Sequence, residues 1–314
     1  MSLTNNNIEL IKAVASNDLP RAKRAAIASL SEDTSKKNNY IVEYLKKVLT
    51  ISEGSPETAI PADLRGILVN SNPEDFDEAR YYVRDAENRI VNEILLMKEA
   101  SEEMALRHIS YINASLLYGE SGTGKTELGK YIAYKLGLPF FYISFTSTID
   151  SYLGSTAKNL HKVFEFCKAY PCVLMVDEAD CVAARRSGGG SKGADGELER
   201  TTITFMQELD RLPNHVVLIA ATNRIDMIDE ALLRRFTIKH EVKSMSHEEL
   251  EALAQQFLKA TDTEKYIAAH DVEYLASECD CPGKLLPELI RMIGAEIIKE
   301  KKYKGDVHEW VKTK

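Results

Sequence analysis

Gly119-Glu120-Ser121-Gly122-Thr123-Gly124-Lys125-Thr126 fits the pattern G-x-x-x-x-G-K-[ST] without a gap. Glycines let the backbone turn tightly, so that consecutive N–H groups converge on phosphate oxygens. A helix starting at the end of such a loop adds the positive end of its dipole. In this pattern Lys125 reaches the β- and γ-phosphates of a nucleotide, and the Thr126 hydroxyl ligates Mg2+. The flanking sequence has the required texture. An apolar run, Ala114–Tyr118, precedes the loop, and Leu128, Ile132 and Leu136 follow it at helical spacing.

Four more short runs alternate with helical stretches: Phe140–Ile143, Val173–Val176, Val216–Ala220 and a weaker Ile238–Val242. All are rich in β-branched or aromatic residues, which predicts an α/β fold with a buried parallel sheet and crossover helices. The run Cys172–Val176 ends in Asp177 and Glu178. At the carboxyl edge of a parallel sheet, where ligands bind in open α/β folds, Asp177 can hold Mg2+ and Glu178 can polarise an attacking water. A strand leaving into a polar loop would look the same, so the pair gains its weight from the phosphate loop upstream. Val216–Ala221 is followed by Thr222-Asn223-Arg224. The Asn223 amide could orient the same water, or it could simply end the strand in a turn.

The rest of the chain reads as helical. Ile8, Ile11 and Val14 share one face, as do Ala22, Ala26 and Leu30, and then Ile41, Leu45 and Val48. Asp18-Leu19-Pro20 reads as a helix start. Gly54, Pro56, Pro61 and Pro73 predict a linker or loosely packed connection. Asn72-Pro73-Glu74-Asp75 has the composition of a helix N-terminus, opening a helix expected to reach about Arg107 with one break. Ser246-His247-Glu248-Glu249 is a capping box, and Leu285–Ile298 carries the apolar face of a further helix. The expected division is an N-terminal helical region over 1–60, a large α/β nucleotide-binding domain over 61–243, and a helical domain over 244–314.

Composition narrows the partners. The 314 residues are 44% hydrophobic and 28% charged, enough for a sizeable core. A net charge of −8 argues against nucleic acid as the main partner, since displacing phosphate counterions needs a basic stripe. Cys167, Cys172 and Cys181 flank an apolar run and read as buried small hydrophobes. Cys279-Asp280-Cys281 has no second pair and no histidine at finger-like spacing, so no metal is expected there. An odd cysteine count and no signal-peptide pattern point to a cytoplasmic protein. No stretch approaches the length of a membrane span, so no membrane association is expected.

The motifs in order, ending with Ile228-Asp229-Glu230-Ala231-Leu232-Leu233-Arg234-Arg235-Phe236, resemble the AAA ATPases of the AAA+ class over roughly residues 75 to 300. The Leu-Arg-Arg-Phe ending looks closest to the spastin- and katanin-like form rather than to R-P-G-R-F. The resemblance implies a P-loop NTPase fold: a five-stranded parallel sheet in the order five-one-four-three-two, flanking helices and a small C-terminal helical lid. It implies ATP and Mg2+ as cofactors, a homo-oligomeric ring, a hexamer, and the remodelling or unfolding of protein substrates. Asn223 matches the first sensor. Arg234 and Arg235 match the arginine fingers that reach the γ-phosphate held by a neighbouring subunit. Tyr152, Leu153 and Gly154 fall where protein-translocating relatives carry an aromatic–hydrophobic–glycine triplet that lines the central pore; a tyrosine packed on a neighbouring helix is the alternative. The segment from Arg185 to Gly196, with Arg186 and Lys192, resembles a second pore loop or is a plain mobile loop.

Some residues depart from the family pattern. Cys281-Pro282-Gly283-Lys284-Leu285 replaces the lid's G-x-S-G-A-D, and no second-sensor arginine is present. Lys284 could substitute for it or be a solvated lysine. The N-terminal helices could bind a substrate or adaptor, or only pack on the ring. Two other functions compete: a nucleic-acid loader or initiator, which would want a basic face or an added DNA-contacting element, and a nucleotide-switched scaffold. Intact Glu178, Asn223, Arg234 and Arg235 speak against the scaffold.

Overall fold

The apolar runs are strands of one sheet. The computed structural model describes residues 4–15, 19–32, 42, 60–144, 156–181 and 194–303. Its strands are β1 (Leu68–Ser71), β2 (Ala114–Tyr118), β3 (Phe140–Ser144), β4 (Cys172–Asp177), β5 (Val216–Thr222) and β6 (Ile238–Glu241). They lie side by side in the order β1-β3-β4-β5-β2-β6. From β3 to β6 all neighbours are parallel, and this part has the expected order five-one-four-three-two.

Strand β1 is a correction. The segment around Pro61 was expected to be a loose connection, yet Leu68–Ser71 pairs antiparallel with β3 and extends the sheet. Ile60, Leu64 and Leu68 are buried in the core. Three anchors four residues apart, interrupted by a proline, make no contiguous apolar run. A four-residue edge strand therefore leaves little trace in the sequence. Gly54 and Pro56 lie outside the described residues.

The helices are α1 (Asn5–Ala15), α2 (Leu19–Glu32), α3 (Asp85–Leu106), α4 (Lys125–Leu136), α5 (Thr156–Cys167), α6 (Ala194–Asp210), α7 (Glu230–Leu233), α8 (His247–Ala260), α9 (Ala269–Glu278) and α10 (Pro282–Tyr303). The expected helix opening at Asn72 is instead two 3-10 turns, Pro73–Asp75 and Glu78–Arg80, ahead of α3. Here the polar groups are spent otherwise. The Ala79 N–H goes to the Asp77 side chain, and the carbonyls of Ala79 and Tyr81 accept from Gln256.

Alternation along β4 sorts its side chains between two helical layers. Cys172, Leu174 and Val176 pack with Leu160 and Phe164 of α5 and Phe205 of α6; Val173 and Met175 pack with Val91 of α3 and Leu128 and Ile132 of α4. Both faces are covered, which is why β4 reads as an unbroken apolar run. Phe164 and Phe205 meet edge to face at 5.9 Å. Burying such a ring is worth about 1.5–3 kcal/mol, so this pair does much to hold α5 against α6.

The C-terminal helices have a core of their own, with Leu250 and Leu253 of α8, Val272 of α9, and Leu285 and Leu289 of α10. The capping box forms as expected: Ser246 Oγ accepts the Glu249 N–H, and the Glu249 carboxylate accepts the Ser246 N–H. At the other end, α1 and α2 make a hairpin that closes on the small residues Ala13, Ala22 and Ala25. The bulky stripe of Ile8, Ile11 and Val14 remains exposed. Ile41, Leu45 and Val48 lie outside the described residues.

Candidate functional site

Strand order creates the crevice. β2 lies between β5 and β6, yet the chain leaves β2 for β3, on the far side of β5 and β4. Such a reversal opens a gap beyond the carboxyl ends of the strands, and Gly119–Gly124 fills that position. The Gly119 N–H donates to the Thr222 carbonyl at 3.3 Å. A Cβ on Gly119 would stand 2.4 Å from the Val242 carbonyl oxygen, and its φ is +142°. Gly124, at φ +98°, is the N-cap of α4 and turns the chain into it. Thr123 Oγ1 donates to the Glu120 carbonyl at 3.0 Å, and Ser244 Oγ to the Glu120 carboxylate at 2.9 Å. Ser121 is exposed at the tip.

The chemically active side chains gather under this loop. Lys125 is buried, and its ammonium donates to the Gly119 and Glu120 carbonyls at 2.9 and 2.7 Å. Burial lowers its pKa from the usual lysine value, while the Asp177 and Asp180 charges oppose that shift. Thr126 Oγ1 donates to Asp177 Oδ2 at 3.0 Å, and Tyr142 OH donates to the same oxygen at 3.1 Å. The Glu178 N–H donates to Asp177 Oδ1 at 2.9 Å. Glu178 itself sits at φ +52°, a left-handed conformation that costs a non-glycine residue about 1–2 kcal/mol. Such strain at the end of a catalytic-type strand is characteristic of functional positions. One strand over, Thr222 is level with Tyr118, which puts the exposed Asn223 beside Gly119. Thr222 Oγ1 donates to Asp180 at 2.6 Å and accepts the Arg224 N–H at 2.9 Å.

Beside the loop is a cavity of about 360 Å3, bounded by Thr123, Gly124 and Leu128, by Tyr81 on the N-terminal side, by Met245 in the connection between β6 and α8, and by Leu286 of α10. It does not include Lys125, Asp177 or Glu178. The polar loop and the apolar hollow therefore adjoin without coinciding, a layout suited to a ligand with a charged end and a flat apolar end.

The C-terminal helices touch the loop, though not through Lys284. Its ammonium pairs with Asp280 at 2.6 Å and is exposed. The contact is made by the Gly283 N–H, which donates to the Gly122 carbonyl at 3.1 Å. The Cys281 thiol lies beside it, where a Cβ on Gly122 would come within 2.8 Å of Sγ.

Arg234 and Arg235 are not brought to this site. Ser115 pairs with Ile238 and Tyr118 with Glu241, so both arginines precede the start of β6 while Gly119 lies past the end of β2. At about 3.3 Å per residue, Ser115 to Gly119 alone covers about 13 Å along the strands, beyond the reach of an arginine side chain. Arg235 is 30% exposed and grips Asp210 with two bonds of 2.8 and 2.9 Å. Arg234 is 80% exposed and stands 3.9 Å from Glu230. Tyr152, Leu153 and Gly154 lie outside the described residues, as do Arg185, Arg186 and Lys192.

Tyr142, Asp180, Asp210 and the cavity walls did not stand out in the sequence. Asp180, three residues after Asp177, was the one with a visible signal. Among the described residues one group of metal-type donors lies away from the loop: His161, Glu165 and Glu208. The Lys168 ammonium bridges its two carboxylates at 2.8 and 2.6 Å, so their charge is already balanced.

A glycine loop at the switch point, with its lysine buried beneath it and a carboxylate strand alongside, defines a P-loop nucleotide-binding protein. Residues 115–244 match the model of the ATPase family associated with various cellular activities, AAA. The peroxisomal ATPase PEX6 of Debaryomyces hansenii is 28% identical over 90% of this chain and 26% of its own. The 26S proteasome regulatory subunit 10B homolog A of Arabidopsis thaliana is 33% identical over 56% of this chain and 46% of its own. The chain thus spans less than half the length of either relative. The crystal structure of the FIGL-1 AAA domain in complex with ADP superposes with a TM-score of 0.54 at 22% identity, over 73% of this chain and 74% of that one. Residues 115–244 thus match an AAA domain, and the chain has the AAA+ fold. Among its described residues no helix is long and apolar enough to cross a membrane.

Proposed function

We propose that this chain binds ATP with Mg2+, hydrolyses it as part of a homo-oligomeric ring, a hexamer, and uses the energy to remodel or unfold protein substrates. The observation that carries the ATPase reading is the Thr126–Asp177 hydrogen bond of 3.0 Å beneath the loop. It joins the two motifs whose meeting P-loop chemistry requires. A hydroxyl and a carboxylate are the hard oxygen donors that Mg2+ prefers, so Thr126 and Asp177 would hold the ion. Bound there, it would neutralise phosphate charge.

The chain's own groups do the rest. The N–H groups of Gly119–Gly124 and the Lys125 ammonium bind the phosphates, and the cavity takes the adenosine. The Glu178 carboxylate accepts a proton from the attacking water, which Asn223 orients. Arg234 and Arg235 supply positive charge to the nucleotide of the next subunit, stabilising the transition state in trans. Their place at the opposite end of the strands favours this arrangement over any role in their own site. The separate helical core supports the division into 1–60, 61–243 and 244–314, with the last as lid. A proteasome regulatory subunit among the relatives and the acidic charge favour protein over nucleic acid as the object of the work. All five cysteines are free, which fits the cytoplasm.

Glu178→Gln is expected to retain ATP affinity and lose turnover by about a hundredfold or more, whereas Lys125→Ala loses affinity. Wild-type turnover in Glu178→Gln would refute the assignment of the base. For the substrate, ATPase rates are compared with unfolded protein, with DNA and with neither. Stimulation by protein that disappears in Tyr152→Ala, with basal rate intact, is the expected result. Stimulation by DNA alone would move the chain to the loader class.

A further inference from the structure

Tyr142 lies where strand packing alone would be satisfied by a phenylalanine. Along β3, Phe141 and Ile143 face the α5–α6 layer, and Phe140 and Tyr142 face the α3–α4 layer. What the phenol adds over a bare ring is a hydroxyl 3.1 Å from Asp177 Oδ2. That oxygen also accepts Thr126 Oγ1 at 3.0 Å, and Oδ1 accepts the Glu178 N–H at 2.9 Å. The Asp177 carboxylate is therefore fixed from three directions, by α4, by β3 and by its own turn.

Mg2+ tolerates little departure from octahedral geometry and sheds its water reluctantly. A carboxylate that serves it must present its lone pairs at a set angle. Hydrogen bonds behind the ligands provide that orientation, and removing one typically costs 10–100-fold in metal affinity. We propose that Tyr142 is a positioning residue for the Mg2+ site, setting the affinity for the ion through the orientation of Asp177. The phenol touches neither nucleotide nor water in this role. The proposal rests on the assignment of Asp177 to Mg2+, so its test examines the two separately.

Tyr142→Phe, made in the full chain, keeps the ring and removes the hydroxyl. Three quantities are measured: ADP affinity in EDTA, Mn2+ affinity of the ADP-saturated protein by electron paramagnetic resonance, and the Mg2+ concentration giving half-maximal ATP hydrolysis. Melting temperature is taken on the same preparation, and Asp177→Asn is run in parallel. The expected result is an unchanged melting temperature and unchanged ADP affinity in EDTA. Mn2+ binding weakens and the half-maximal Mg2+ concentration rises, each about tenfold. Wild-type Mn2+ affinity in Tyr142→Phe overturns the proposal. So does a lowered melting temperature or a matching loss of ADP affinity in EDTA, since either assigns the phenol a packing role. Wild-type Mn2+ affinity in Asp177→Asn instead refutes the assignment beneath it.

Discussion

Gly119 and Gly294 carry the same atoms under opposite constraints. At Gly119 the backbone is left-handed, and an added Cβ would meet a carbonyl oxygen at 2.4 Å that no rotamer change can move. Gly294 lies inside α10 with nothing within 4 Å of an added Cβ. Gly119→Ala is therefore expected to destabilise the protein by about 1–3 kcal/mol and to weaken nucleotide binding. Gly294→Ala should stabilise it by about 0.5–1 kcal/mol, because glycine loses the most freedom in a helix. Urea unfolding of both variants checks this; equal effects would mean that the loop's backbone is not constrained as described. The loop and Asp177-Glu178 were legible in the sequence because phosphate chemistry dictates residue types at fixed spacing. Tyr142 and Asp210 were not. Their roles arise from the register of one strand against the next and from the meeting of α6 with the end of α7, which no local pattern reports.

At the scale of elements, the turns ahead of α3 are fastened to the C-terminal part of the chain by half-buried polar groups. Arg84 pairs with the Glu87 carboxylate and donates to the Lys243 carbonyl at 2.9 Å and the Ser244 carbonyl at 3.4 Å, in the connection between β6 and α8. Gln256 of α8 donates to Ala79 and Tyr81, both at 2.9 Å. His240 Nε2 stands 3.8 Å from Glu87. Arg84→Met would leave the Glu87 charge buried with poor compensation, at a cost of about 3–5 kcal/mol, read as a lowered urea midpoint. The pH response follows from Glu87. Burial alone would raise its pKa, but His240 and Arg84 hold it below its usual 4.5. A depressed folded pKa means that Glu87 stabilises the fold above pH 4.5 and that this contribution is lost as pH falls through the lower value. Glu87→Gln should accordingly show a smaller loss of stability on acidification below pH 4.5 than the wild type. An identical acid limb would contradict it. Strands β2 to β6 were legible at this scale from their apolar runs. Strand β1 and the 3-10 turns were not: β1 is four residues paired to a strand about seventy residues on, and carbonyls at the turns are satisfied by Gln256 of the distant α8.

For the whole molecule, the parallel strands put the phosphate loop beyond their carboxyl ends and Arg234 and Arg235 at their amino ends. One subunit cannot bring both to a single phosphate, so the complete site would form only between subunits. Lys125→Ala subunits retain the arginines, and subunits carrying both Arg234→Ala and Arg235→Ala retain the loop. Each variant alone should be nearly inactive, and a mixture should recover activity at junctions where an intact loop meets intact arginines. The most direct measurement needs no variant. Phosphate release per subunit is followed as wild-type protein is diluted from well above to well below its assembly concentration. A rate per subunit that falls steeply across the assembly transition is the predicted result. A rate that stays constant through that transition would mean that a single subunit holds a complete catalytic site, contrary to this account.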